Sequence, residues 1–142
     1  MALVMVERLG KRAGRMAISV ISSASRDSLK AILSKKILPE QRIRSDGYSA
    51  NYVMRSMGHD LDAKKRSGER GSRELPWVHI SISLAKRFLL GTYHGVSKKY
   101  LQRYLQEFCY RFNRRAAGNA IFSRLLHACI LANPVTYAEV SR

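Results

Sequence analysis

Short apolar runs and their spacing divide the chain. Residues 3–7, LVMVE, form an apolar run closed by a charge. The segment GKRAGR, with two glycines and three cations, separates it from MAISVIS at residues 16–22. Two β-rich runs across a glycine-containing turn predict a hairpin. Ser25 then precedes RDSLKAILSKK, where Leu29, Ile32 and Leu33 recur at i, i+3 and i+4. That spacing predicts a one-faced helix with Ser25 as its N-cap and Pro39 beyond its end. RIRSDG at 42–47 predicts a short strand closing on Asp-Gly, and 48–56 predicts a helix with Tyr48, Tyr52 and Met57 along one side. The first 58 residues therefore read β-β-α-β-α, which favours an α/β sheet over a helical bundle.

The second half is helical in pattern. Residues 59–76, HDLDAKKRSGERGSRELP, have no apolar period and read as a basic loop within one domain, because the flanks do not form two self-sufficient cores. After Pro76, Ile82, Ala85, Phe88 and Leu89 fall on one helical face, and GTYHG breaks that helix. Ser97 caps the next, KKYLQRYLQEFCYRFNRR, whose Leu101, Tyr104, Leu105, Phe108 and Phe112 make an apolar stripe. Lys98, Lys99, Arg103, Arg111, Arg114 and Arg115 surround the stripe. A last helix over 119–131 is expected to turn Ile121, Leu125 and Ala128 inward and to end at Pro134. No internal repeat is evident.

Composition adds one strong fact. The 142 residues, the size of one domain, carry 26 Lys and Arg against 10 Asp and Glu, a net charge of +16. A polyanion or a membrane surface is the partner such a charge calls for. No uncharged apolar run is long enough to span a bilayer, and the N-terminus is apolar first and basic after, the reverse of a signal peptide. Cys109 and Cys129 lack CxxC spacing and read as reduced core residues of a cytosolic protein. The cations are spread along the whole chain, including Lys64, Lys65, Arg66, Lys86, Arg87, Lys98, Lys99, Arg111, Arg114 and Arg115. Attachment to a phosphate backbone needs such multi-point contact; a merely solvated surface is the plainer alternative.

Few residues offer further chemistry. Asp46, at the carboxyl end of a strand, is placed to bind Mg²⁺ or, more simply, to make a turn with Gly47. His79 opens a helix, as a cap, a core residue or an acid–base group. Lys86 and Arg87 belong by default to a solvated helix face, and Tyr93 and His94 to loop packing. Glu107 is either an i, i+4 partner of Arg111 and Arg103 or a metal-orienting carboxylate. No Ser-His-Asp or Cys-His nucleophile arrangement is supported.

From residue 77 onward, WVHISISLAKRFLLGTYHGVSKKYLQRYLQEFCYRFNRR closely resembles the C-terminal part of bacterial insertion-sequence transposases of the ISXO-like group. The matching elements are the His79 entry to a helix, KRFLLGT, the GVS cap and YLQEFCYRFNRR. VERLGKRAGR and RSDGYSANY agree more loosely with the same group. The resemblance implies an RNase H-like, DDE-type α/β core with C-terminal helices. It implies a site in which acidic residues hold two Mg²⁺ ions for in-line attack on DNA phosphodiesters. Asp46 matches the second acidic position, which reverses the turn preference for it, and His79 and Lys86 match positions flanking the third. Where the group carries Asn or Glu, this chain has Leu84, which offers no oxygen. The group's first aspartate lies on a strand upstream of the VER segment and has no counterpart here.

These readings converge on an N-terminally truncated transposase catalytic domain spanning 1–142. Its parts are a β-β-α-β-α segment over 1–58, the loop over 59–76 and helices over 77–133. It is expected to bind the DNA of insertion-sequence ends in the bacterial cytoplasm, at the nucleoid, alone, as a homo-oligomer or with a full-length transposase. Its Mg²⁺-dependent cleavage is expected to be impaired, with Asp46, His79 and Lys86 as the catalytic set and Asp46 and Glu107 as metal ligands. The alternative is a non-catalytic basic protein that binds DNA or RNA. A membrane-surface role ranks last, because the Tyr and Phe stripe at 97–115 is needed for a core.

Overall fold

In the computed structural model, which describes residues 1–63 and 74–141, the chain enters as the expected hairpin. Strands β1 (Ala2–Leu9) and β2 (Arg12–Val20) pair antiparallel, from Ala2 opposite Val20 to Leu9 opposite Arg12. Gly10, at φ +57°, supplies the left-handed backbone that so tight a turn demands. The register steps from Val6–Met16 to Arg8–Ala13, so β2 carries one extra residue there, a bulge. Its Arg15 N–H donates to the Glu7 carboxylate at 2.9 Å.

Helix α1 (Arg26–Lys36) follows. The Ser25 hydroxyl accepts the Ser28 N–H, Asp27 lies in the first turn and Lys35 and Lys36 in the last, so cap and charges both suit the helix dipole. Strand β3 (Arg42–Ser45) comes next. The helix expected over 48–56 is broken into a 3₁₀ turn (Ser49–Tyr52) and one turn of α-helix, α2 (Val53–Ser56). Its inward side chains are Ala50 and Met54, while Tyr48 and Tyr52 face solvent. The aromatic pair suggested the face; the small residue and the unbranched methionine fit the narrow space against α1.

The segment read as a loop over 59–76 begins instead with strand β4 (Asp60–Ala63), paired parallel to β3. Arg42–Ile43–Arg44 lies against Asp60–Leu61–Asp62 in register. Two cross-strand ion pairs form, Arg42–Asp60 at 3.6 Å and Arg44–Asp62 at 3.3 Å, while Leu61 is buried. Exposed pairs of this kind are worth about 1 kcal/mol at most, so they select the register more than they hold the strand. Lys64, Lys65 and Arg66 lie outside the described residues.

Helix α3 (Pro76–Tyr93) starts with Pro76 in its first turn, where a missing N–H costs nothing. It runs through Gly91, beyond the expected break, and stops at His94, which is left-handed at φ +53°. Helix α4 (Leu101–Asn113) begins three residues later than the Ser97 cap predicts; Ser97 instead offers its carbonyl to the Tyr100 N–H in a preceding turn. A 3₁₀ turn (Arg115–Ala117), α5 (Ala120–Leu131) and α6 (Tyr137–Ser141) complete the chain. Contrary to expectation, α5 turns nothing fully inward: Leu125 is 46% exposed, Phe122 71%, and only Ile121 is half-buried. Cys129 is likewise exposed rather than in a core.

The result is a mixed α/β structure in layers, with two sheets of two strands each among the described residues. Strand alternation splits the hairpin between two cores. Leu3 and Met5 of β1 join Ile21, Leu29, Leu33, Ala50, Met54 and Leu61 on the α1 side. Val4 and Val6 join Met16, Ile18, Ala85, Leu105 and Phe108 on the α3–α4 side. No helix among the described residues is long and apolar enough to cross a membrane.

These cores assign unequal weight to similar leucines. Leu33→Ala, at a side chain with no exposed surface, is expected to cost about 2–5 kcal/mol. Leu126→Ala, at a position 52% exposed on α5, should stay within about 0.5 kcal/mol of the parent. Urea unfolding of the two variants checks both values, and equal losses would show that α5 is buried in solution.

Candidate functional site

The side chains of α4 do two jobs. Leu105 and Phe108 enter the core, while Gln102 and Asn113, eleven residues and three turns apart, lie on one stripe facing the outer edge of β2. Gln102 accepts the Val20 N–H at 2.6 Å and donates to the Ile18 carbonyl at 3.1 Å. Asn113 accepts the Met16 N–H at 2.7 Å and donates to the Met16 carbonyl at 2.9 Å. Two amides thus imitate a neighbouring strand. Sequence reasoning missed them, although a three-turn repeat of amides beside an apolar stripe is a readable signal.

Arg115 extends this clamp. Its guanidinium donates to the carbonyls of Ala13, Gly14 (3.2 Å) and Phe112 (2.8 Å), and it lies 4.1 Å over the Phe112 ring. Arg114 covers the Tyr110 ring at 3.7 Å, and Lys99 lies 5.2 Å from the Tyr100 ring centre. Among the cations singled out from the sequence, Lys86, Arg87 and Lys98 are exposed, and Arg114 is half-buried.

Asp46 follows β3 directly. Its Oδ1 accepts the Tyr48 N–H at 3.2 Å and the Asn51 side-chain amide at 2.9 Å, closing a turn in which Gly47 takes φ +76°. The side chain is exposed and borders a cleft between β1 and β3. Glu107 lies elsewhere, at the contact of α3 with α4. Tyr93 donates its hydroxyl to Glu107 at 2.7 Å, and Arg111 donates at 2.7 and 3.1 Å. The Tyr93 bond, then Arg111, holds this carboxyl below the ordinary range, and the same bond pushes the Tyr93 hydroxyl up. His79 and Lys86, seven residues apart, share one exposed side of α3 and do not border the cleft; Leu84 is 37% exposed on the same helix.

The structure therefore does not bring Asp46, His79, Lys86 and Glu107 together. Among the described residues no three His, Cys, Asp or Glu side chains converge on one point. The acidic groups near Asp46 are otherwise occupied: Asp62 pairs with Arg44, and Glu7 accepts the Arg15 N–H. A pair of Mg²⁺ ions needs several carboxylate oxygens at one place, and this donor set does not fit it.

Comparison with known proteins supplies the context that the side chains leave open. A family model described as the ISXO2-like transposase domain matches residues 1–113, from the first strand to the last residue of α4. No curated protein and no solved structure matches the chain.

The Tyr93–Glu107 contact has a pH signature. A depressed carboxyl stabilises the fold only when ionised, so its contribution is present above the ordinary carboxylate range and is lost as pH falls through the lowered value. In Tyr93→Phe the main cause of the depression is gone, and Glu107 should titrate at higher pH than in the parent. Carbon-detected NMR titration of the Glu107 carboxyl measures this, and an unchanged midpoint would assign the depression to Arg111 alone.

Proposed function

The chain belongs to the ISXO2-like transposase family, and from that premise we propose that it serves transposition as a DNA-holding module. The observation that carries this reading is the joint one of family and charge. Residues 1–113 match a transposase domain, and the whole chain bears a net +16. A duplex presents a dense line of phosphates, and neutralising them releases condensed counterions, so a protein so basic gains affinity from every contact made at once. Lys86, Arg87 and Lys98 are the exposed cations we assign to this surface. Arg111, Arg114 and Arg115 contribute mainly charge, because their guanidinium groups already serve Glu107, the Tyr110 ring and the hairpin carbonyls.

Phosphate contact positions a protein on DNA without reading its sequence. The proposed module therefore grips duplex with little sequence preference of its own. It acts in the cytoplasm where that DNA lies, and insertion-sequence ends would be selected by other groups of the assembly. Family members work with a divalent metal, yet Asp46 here meets no second free carboxylate among the described residues, and Leu84 offers no oxygen. We accordingly assign this chain binding rather than cleavage. Asp46 shapes the turn after β3, and His79 and Lys86 stand on an exposed helix face where they can meet phosphate.

Two measurements test the reading. Duplex affinity should fall steeply with salt, the slope of log K against log salt being about −0.9 for each phosphate neutralised. Fluorescence anisotropy across a salt series checks this. A flat series, or a strong preference for structured RNA in competition, would replace DNA as the partner. In a plasmid-nicking assay with Mg²⁺ the purified chain should leave supercoiled DNA intact. Nicking that disappears in Asp46→Ala would overturn the assignment of binding without cleavage.

A further inference from the structure

Two large aromatic rings stand in water on a turn that is tightly held. Asp46 Oδ1 accepts the Tyr48 N–H at 3.2 Å and the Asn51 side-chain amide at 2.9 Å, and the Asn51 N–H donates to the Tyr48 carbonyl at 2.9 Å. Ala50 and Met54 are buried and fix the same segment to the core beside α1. Tyr48 and Tyr52 alternate with them and are left 52% and 42% exposed. Burial of apolar surface does not explain that choice, because the segment is already anchored by its small and unbranched neighbours. Other tyrosines are used within the fold: Tyr93 donates to Glu107 and packs 4.4 Å from the Tyr104 ring, and the Tyr110 hydroxyl is buried.

Arg55 adds charge to the same surface. It is exposed, and its guanidinium lies 5.1 Å from the centre of the Tyr52 ring. A cation over a ring is held by the ring's quadrupole and not by hydrogen bonds, so the N–H groups of Arg55 remain for an acceptor. Among the described residues no carboxylate pairs with it, in contrast to Arg111. Asp46, the one acidic residue between positions 46 and 57, already accepts from Tyr48 and Asn51.

A flat ring joined to a phosphate matches an open aromatic face beside an uncommitted guanidinium. Within a duplex both faces of a base are hidden in the stack, so only an unpaired base can lie on tyrosine. A chain of net charge +16 also selects an anionic partner. We propose that Tyr48, Tyr52 and Arg55 form a stacking site for an unpaired nucleotide of DNA, with a base on a tyrosine ring and an adjoining phosphate on Arg55. The site rests on the reading of the chain as a DNA-holding module and deepens it. Phosphate contact alone does not read the bases, whereas stacking detects whether a base has left the helix. Every base has a π-face, so the site senses unpairing and not sequence.

Two DNA ligands of equal charge carry the test: one duplex with a short thymine overhang, and the same duplex with an abasic overhang of equal length. In fluorescence anisotropy the full chain should bind the thymine overhang about tenfold more tightly, the worth of one stacked base. With 5-iodouracil in place of one thymine, ultraviolet light should crosslink the overhang to Tyr48 or Tyr52, located by mass spectrometry. The double variant Tyr48→Leu, Tyr52→Leu should lose the preference and the crosslink yet bind the abasic ligand as the parent does. Tyr48→Phe with Tyr52→Phe should keep the preference. The crosslink is read on the parent chain and stays decisive if a variant fails to fold. Equal affinity for the two ligands overturns the stacking site alone, whereas failure to bind either one overturns the DNA-holding reading with it. Crosslinks confined to other residues, or tighter binding of an RNA overhang of the same length, would also overturn the proposal.

Discussion

The outer edge of β2 is the constraint on which the remainder rests. A hairpin alone in water is marginal, and an unpaired edge must find donors and acceptors or remain wet. Here α4 supplies them from side chains: Gln102 at one end of the edge, Asn113 three turns later, and Arg115 on the carbonyls beyond. These bonds join residues more than 80 positions apart, so they bind the two halves of the sequence together. They also orient α4 so that Leu105 and Phe108 enter the core beside Met16 and Ile18. Leaving the buried Met16 peptide unpaired would cost about 1–3 kcal/mol, which makes the amides more than ornament.

From that closure follows the asymmetry of the molecule. One edge of the hairpin is finished by α4, and the other opens on a cleft toward β3. The hairpin serves two cores at once, with odd positions of β1 against α1 and even positions against α3 and α4. The family match ends at Asn113, one of the two amides on that edge, and Arg115 and the exposed helix α5 lie beyond it.

Charge distribution separates binding from chemistry. The net +16 is distributed over both halves, but its arginines are not equivalent. Those at 111, 114 and 115 are committed to a carboxylate, an aromatic ring and backbone carbonyls, which reduces their freedom to follow a phosphate backbone. Asp46 and Glu107, the two carboxylates singled out from the sequence, are each held by their own local partners and do not converge. A polyanion surface tolerates such dispersion, because Coulombic attraction is long-ranged, whereas a metal site does not, because ligation requires several oxygens within bonding distance of one point.

Local signals were legible in the sequence wherever one short segment settles its own conformation. The hairpin was readable from two apolar runs about a glycine turn, α1 from its Ser25 cap and one-faced stripe, and α4 from Leu101, Leu105, Phe108 and Phe112. Family membership was readable in the string from residue 77 onward. Strand β4 was not, because four residues with one buried leucine carry no period; it exists because Arg-Ile-Arg of β3 meets Asp-Leu-Asp across the ladder. The apolar face of α5 misled for a related reason, since a stripe predicts a partner without supplying one. The site residues were chosen one by one along the chain, yet whether side chains meet depends on distances across the fold. Sequence thus determined the segments, the charge and the family. Only the tertiary structure decided that Asp46 and Glu107 do not share a site and that Gln102 and Asn113 close one sheet edge, because each depends on where residues distant in the chain come to lie.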